Sequence, residues 1–244
     1  MKKIIKNERG ATLIDLLIST AIMLSVTGSF YNLLLSFYEN YGLQEAIAEM
    51  QQQARVADDL ISREIRQGGY DPTGTLFIKQ PNGGKLTKEY SNNHCAQGSH
   101  PAERIFEATP ILFHYLADLN GNGMVNNDND VDEDVRYEWI DAAGKDSCGN
   151  KRKSFALYRD SGSGGGAQEV AFNIEGFRFG YFDEDGNELI GHAPDKALDQ
   201  EQRNRIRKVV LTLIVKTDRK DSGARPNQRA EVRQRITEVS LPNM

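Results

Sequence analysis

Proline is absent from the first 71 residues of this 244-residue chain, cysteine occurs twice and tryptophan once. Without proline, nothing in that stretch forbids one continuous helix. Two cysteines cannot build a disulfide scaffold or a four-cysteine zinc site. Positive charge is not in excess. A formal net charge of −5 excludes a chain that coats nucleic acid along its whole surface. With 39% apolar residues, 22 Gly and 7 Pro, collagen-like and wholly disordered classes are excluded as well. The familiar catalytic and nucleotide signatures are missing: no G-x-S-x-G, H-E-x-x-H, C-x-x-C, phosphate-binding loop or dinucleotide fingerprint occurs. Long hydrophobic runs are missing too, and the mean hydropathy is −0.57. The one exception lies at the start.

Residues 1–10 carry Lys2, Lys3, Lys6 and Arg9 against Glu8, a net charge of +3. Residues 11–38 then run apolar with a single charged side chain, Asp15. As a helix, that run reaches roughly 40 Å, enough for a bilayer core of about 30 Å. The basic end is expected to stay cytoplasmic and the remainder to lie outside. A cleavable secretory signal has a shorter apolar core followed by a small-residue cut site. Here the small residue at a junction, Gly10, precedes the apolar run, so cleavage there removes the leader and keeps the helix. A plain signal anchor is the competing reading, but a lone carboxylate near the start of a membrane helix costs a few kcal/mol and is rarely kept without a partner. Cleavage after Gly10 creates that partner, an amine at Ala11 one helical turn from Asp15, where the helix dipole also favours negative charge.

The segment Gly10-Ala11-Thr12-Leu13-Ile14-Asp15-Leu16-Leu17 resembles the type IV prepilin motif, usually G-F-T-L-I-E-L-L. It departs from it by Ala at the first mature position and Asp at the fifth. The resemblance implies cleavage after Gly10 by an inner-membrane prepilin peptidase and N-methylation of Ala11. It also implies that Asp15 pairs with the amine of a neighbouring subunit during filament assembly. The stretch QQARVADDLISREIRQGGYDPTG is similar to PilW-type minor pilins, and the closing IRKVVLTLIVKT and EVRQRITEVSLPNM to PilW-type pilins and the related J-type minor pseudopilins of type II secretion.

Beyond the apolar run, Leu43, Ile47, Met50, Ala54, Ala57, Ile61 and Ile65 form one stripe at helical spacing. A helix is predicted from about Ala11 to Gln67, stopped by Gly68-Gly69 and by Tyr70-Asp71-Pro72. From Thr75 the period changes to 2, with predicted strands at 76–79, 111–116, 135–140, 154–159, 176–182, 209–216 and 231–239. Val135, Tyr137 and Trp139 alternate with Arg136 and Glu138, the pattern of a half-buried antiparallel strand. The expected fold is therefore α+β, an antiparallel sheet lying on the stripe of one long helix. The expected organisation is a leader over 1–10, a membrane or filament-core half-helix over 11–42, and a head over 43–244.

Two further sites stand out. Asp118, Asn120 and Asn122 set oxygen ligands at alternating positions with Gly123 sixth, the opening of a calcium loop. The twelfth position is Asn129, so Asp128 or Asp130 is expected to close it. Residues 118–134 hold six carboxylates and no basic residue, a repulsion that Ca2+ would relieve. A solvated acidic loop is the alternative reading. The Asp183-Glu184-Asp185-Gly186 turn is a weaker candidate, and His114 and His192 read as isolated structural residues. In a head outside the cytoplasm, Cys95 and Cys148 are expected to pair, closing a 54-residue loop. A zinc reading with His94 and His100 has no standard spacing.

Residues 203–244 carry a net +7, and residues 11–202 a net −15. An acidic body with a basic tail suits contacts between filament subunits, whereas nucleic acid is the thinner reading. The resemblance thus implies a non-enzymatic minor subunit of a type IV pilus. Its implied partners are other pilin subunits, the prepilin peptidase and the inner membrane, from which the head passes to an extracellular filament. A minor pseudopilin of type II secretion shares leader, helix and sheet. A membrane-anchored secreted enzyme or binding protein is the distant competitor, and a cleft with perturbed carboxylates would mark it.

Overall fold

The computed structural model describes residues 13–74, 76–77, 89–92, 98–101, 103–125, 132–162, 166–191, 196–216 and 232–244, with only the backbone of 39, 43, 89–92 and 98–101. The chain divides into two units, Met1–Ala48 and Glu49–Met244. Helix α1, Leu13–Ile65, begins in the first and ends in the second, with Asp15 in its first turn and Arg63 in its last, as the helix dipole favours.

Over residues 13–38 of the first unit α1 is predominantly apolar and exposed. Leu13, Leu16, Ile22, Leu24, Phe30, Phe37 and Tyr41 are among the bare side chains. Its hydroxyls turn back on the helix. Ser19, Ser25 and Ser29 donate to the carbonyls of Asp15, Ala21 and Ser25, and Thr20 to that of Leu17, at 2.7–2.9 Å. Such back-bonding lets polar side chains sit in apolar surroundings without stranded donors.

In the second unit the stripe becomes a core. Met50, Ala54, Ala57, Ile61 and Ile65 are buried in one cluster with side chains from two antiparallel sheets. The first is a meander of five strands in chain order: β3 (Ile105–Ala108), β4 (Leu112–Leu116), β5 (Asp134–Ile140), β6 (Ala156–Asp160) and β7 (Gln168–Ala171). The second has the order β11-β10-β8-β9, from β8 (Ile174–Phe182), β9 (Glu188–Leu189), β10 (Lys208–Lys216) and β11 (Val232–Ser240). A separate hairpin pairs β1 (Glu89–Asn92) with β2 (Gly98–Pro101). A short helix, α2 (Gln200–Arg205), carries a reciprocal capping box between Asp199 and Gln202. The fold is thus α+β, as expected. Phe113 joins the sheets through ring contacts to Phe179 and Tyr181 at 5.7 and 5.8 Å.

Three strand expectations change. Leu76 and Phe77 are not strand, because their N–H groups donate to the Asp71 carboxylate at 3.0 and 3.2 Å. The 154–159 strand starts two residues late, after Phe155 takes a left-handed φ of 56°. Strand β5 is buried on both faces, since Arg136 and Glu138 are also covered. They pair at 2.7 Å, and the Ser147 N–H donates to Glu138 at 2.6 Å, so the 146–148 segment lies over the face expected to meet water. Burial raises the Glu138 pKa despite the Arg136 charge beside it.

Helix α1 ends where its glycines require. The Gly68 N–H donates to the Ile65 carbonyl, and Gly69 takes φ 75° while donating to the Leu116 carbonyl at 2.9 Å. A Cβ on Gly69 would meet Arg104 at 2.9 Å and Met244 at 3.1 Å. Gly69→Ala should therefore cost about 2 kcal/mol or more, combining a strained φ with a clash. Gly74, with φ 62° and nothing within 4 Å of a Cβ, should lose only about 1 kcal/mol on the same change. Paired thermal melts of the two variants measure the difference.

Candidate functional site

The residues expected to carry function fall in two regions. The first is the start of α1. Gly10 and Ala11 lie outside the described residues, whereas Asp15 is exposed in the first helical turn among exposed Leu13, Ile14, Leu16 and Leu17. Among the described residues α1 is the one helix long and apolar enough to span a membrane, and the window that qualifies has no buried residue.

Two residues of α1 that its periodicity left unremarked tie it to the sheets. Asp58, buried, accepts from Arg235 of β11 at 2.6 Å. Glu64 accepts from the Tyr137 hydroxyl at 2.6 Å and from Arg159 Nε at 2.8 Å. Arg159 also reaches Asp132 at 2.7 Å. Burial, with the Glu64 charge beside it, pushes the Tyr137 hydroxyl far above its ordinary pKa, so it stays a donor at any accessible pH. The signal for both was available, as acidic residues next to a stripe rather than opposite it. Their partners, 73 to 177 residues away in sequence, were not.

The second region is the acidic loop, which leaves β4 beside the end of α1: the Asp118 N–H donates to the Tyr70 carbonyl at 2.7 Å. Asp118 is fully buried, and its Oδ2 accepts from the Gly123 N–H at 2.9 Å. Asn120 Oδ1 accepts from the Asn122 N–H at 2.8 Å, and Asn122 Oδ1 from the Met124 N–H at 2.7 Å. Asp128 and Asp130, expected to close the loop, lie outside the described residues. Among the described residues, a carboxylate brought to the loop is Glu133, buried, whose Oε1 accepts from the Asn120 N–H at 2.9 Å. The chain returns here because the Ala117 N–H donates to the Glu133 carbonyl at 2.8 Å.

Two further carboxylates of this segment have partners on other strands. Asp132 pairs with Arg159, and Asp134 with His114 Nε2 at 2.6 Å, both members of the second pair being buried. His114 is thus not isolated, and its ring also tilts against Phe106 at 5.0 Å. His192 lies outside the described residues. At the turn after β8, hydrogen bonds from Asn187 and the Arg205 guanidinium hold the Asp183 carboxyl below its ordinary pKa, so this turn already has its cation. No group of three or more His, Cys, Asp or Glu side chains is gathered at one point among the described residues.

Cys148 is disulfide-bonded, which removes its thiolate from any zinc reading. Cys95, the other cysteine of the chain, lies outside the described residues, as does His94. Within the basic tail, β11 is an edge strand among the described residues, with Val232, Arg233, Gln234, Arg235 and Ile236 exposed. Compared with family models, curated proteins and solved structures, the chain gives no match.

Proposed function

We propose that the chain is a non-enzymatic, pilin-like subunit of an envelope filament, of the minor kind that primes or caps a type IV pilus. The observation that carries this reading is the two-part character of α1. Its first unit is apolar and bare over more than seven turns with one carboxylate at the start, and its continuation is the central stripe of an α+β head. A soluble protein does not leave such a surface uncovered. In this reading the bilayer covers it before assembly and the helices of other subunits cover it afterwards. The +3 leader holds the N-terminus in the cytoplasm until a prepilin peptidase cuts after Gly10. The head then lies outside the inner membrane, where a Cys95–Cys148 bridge is stable.

The reading is tested in the native cell. Filaments sheared from the surface should contain the chain at a small fraction of the major subunit, and deleting its gene should remove most surface filaments. If sheared filaments lack the chain and the deletion leaves their number unchanged, the reading fails.

A further inference from the structure

We propose that residues 118–124 and Glu133 form a calcium site. Asp118 is fully buried, and while its Oδ2 accepts from Gly123, its Oδ1 has no hydrogen-bond partner. A buried carboxylate oxygen with no donor is costly, and a cation relieves that cost directly. The loop around it is shaped for one. Gly123, sixth from Asp118, takes φ 69°, which provides the sharp bend that a calcium loop needs at that position. Asn120 and Asn122 accept the Asn122 and Met124 N–H groups through their side-chain oxygens, which holds both oxygens within the loop. Glu133 is buried on the returning arm and accepts from the Asn120 N–H, which brings a second carboxylate to the loop.

The donors are all oxygens, two of them charged, which selects a hard divalent cation over zinc or copper. Asp132 and Asp134 contribute nothing here, since Arg159 and His114 hold them. A site with two carboxylates belongs with the weaker calcium modules, whose dissociation constants are on the order of 10⁻⁴ M. Because Asp118 is bonded to Tyr70 at the exit of α1, filling the site fastens the helix end to β4. The inference stands apart from the filament reading, since it needs only the folded head.

The test uses the full chain in detergent, melted in EGTA, in 10 mM calcium and in 10 mM magnesium. Calcium at about a hundred times the dissociation constant should raise Tm by roughly 5 °C, with magnesium giving a much smaller shift. Asp118→Asn and Glu133→Gln should each abolish the shift, whereas Asp185→Asn, in the exposed turn after β8, should keep it. Terbium luminescence sensitised by the chain's aromatics should saturate at one ion per chain and be displaced by calcium. That readout on the unaltered chain decides the matter if a loop variant does not fold. Equal melting in calcium and EGTA, an equal shift with magnesium, an unchanged shift in Asp118→Asn, or no displaceable terbium would each overturn the site.

Discussion

An Asp15→Val subunit should be cleaved after Gly10, insert into the membrane at least as well as the original, and yet be missing from filaments. The substitution removes the one charge from an exposed apolar helix surface, so insertion improves or stays the same. Cleavage should persist, because leader and Gly10 are unchanged. Assembly should fail because the Ala11 amine of a neighbour is left stranded in a low-dielectric core, at a cost of about 3–5 kcal/mol. That corresponds to a drop in incorporation of roughly a hundredfold or more. Asp15→Glu restores the commoner residue of the motif and should assemble, whereas Asp15→Asn keeps the shape without the charge and should not. Quantifying the variants in membrane and sheared-filament fractions checks this. Wild-type incorporation of processed Asp15→Val would leave assembly to apolar packing alone.

Glu64→Leu should destabilise the head by about 3 kcal/mol, the largest loss expected from a single polar side chain here. It strands the Tyr137 hydroxyl and half of the Arg159 guanidinium, both largely buried, while Arg159 keeps Asp132. For a chain of this size the melting temperature should fall by roughly 5–10 °C. Glu64→Gln retains an acceptor for Tyr137 and loses only the charge on Arg159, so its loss should be about half as large. Thermal unfolding of the two variants beside the original reads both values. A Glu64→Leu protein melting within a degree of the original would show that the stripe alone holds helix to sheet.

The long helix, its stop at Gly68-Gly69 and four of the long strands were legible because each rests on a local signal. The stripe from Met50 to Ile65 repeats at 3–4 residues, and Val209, Leu211, Leu213 and Val215 alternate cleanly along β10. What sequence missed depends on what lies across space. Arg136 and Glu138 look like outward residues until the 146–148 segment is laid over them. Strands β3, β7 and β9 are two to four residues long and gain their pairing from neighbours rather than from composition. At the acidic loop, counting to a twelfth position pointed to Asp128 and Asp130, which lie outside the described residues. The turn back through Ala117 and Glu133 is a tertiary event with no fixed spacing, so the role of Glu133 was invisible. For the same reason the six carboxylates read as one repelling block, although two of them have cationic or histidine partners on other strands.

The mature N-terminus tests the central claim most directly. Intact-mass measurement and N-terminal sequencing of the chain from its native membrane should show residues 1–10 gone. The first residue should be Ala11, heavier by one methyl group, with the apolar helix retained. A mature protein that still begins at Met1, or that has lost residues 11–38, would contradict the account.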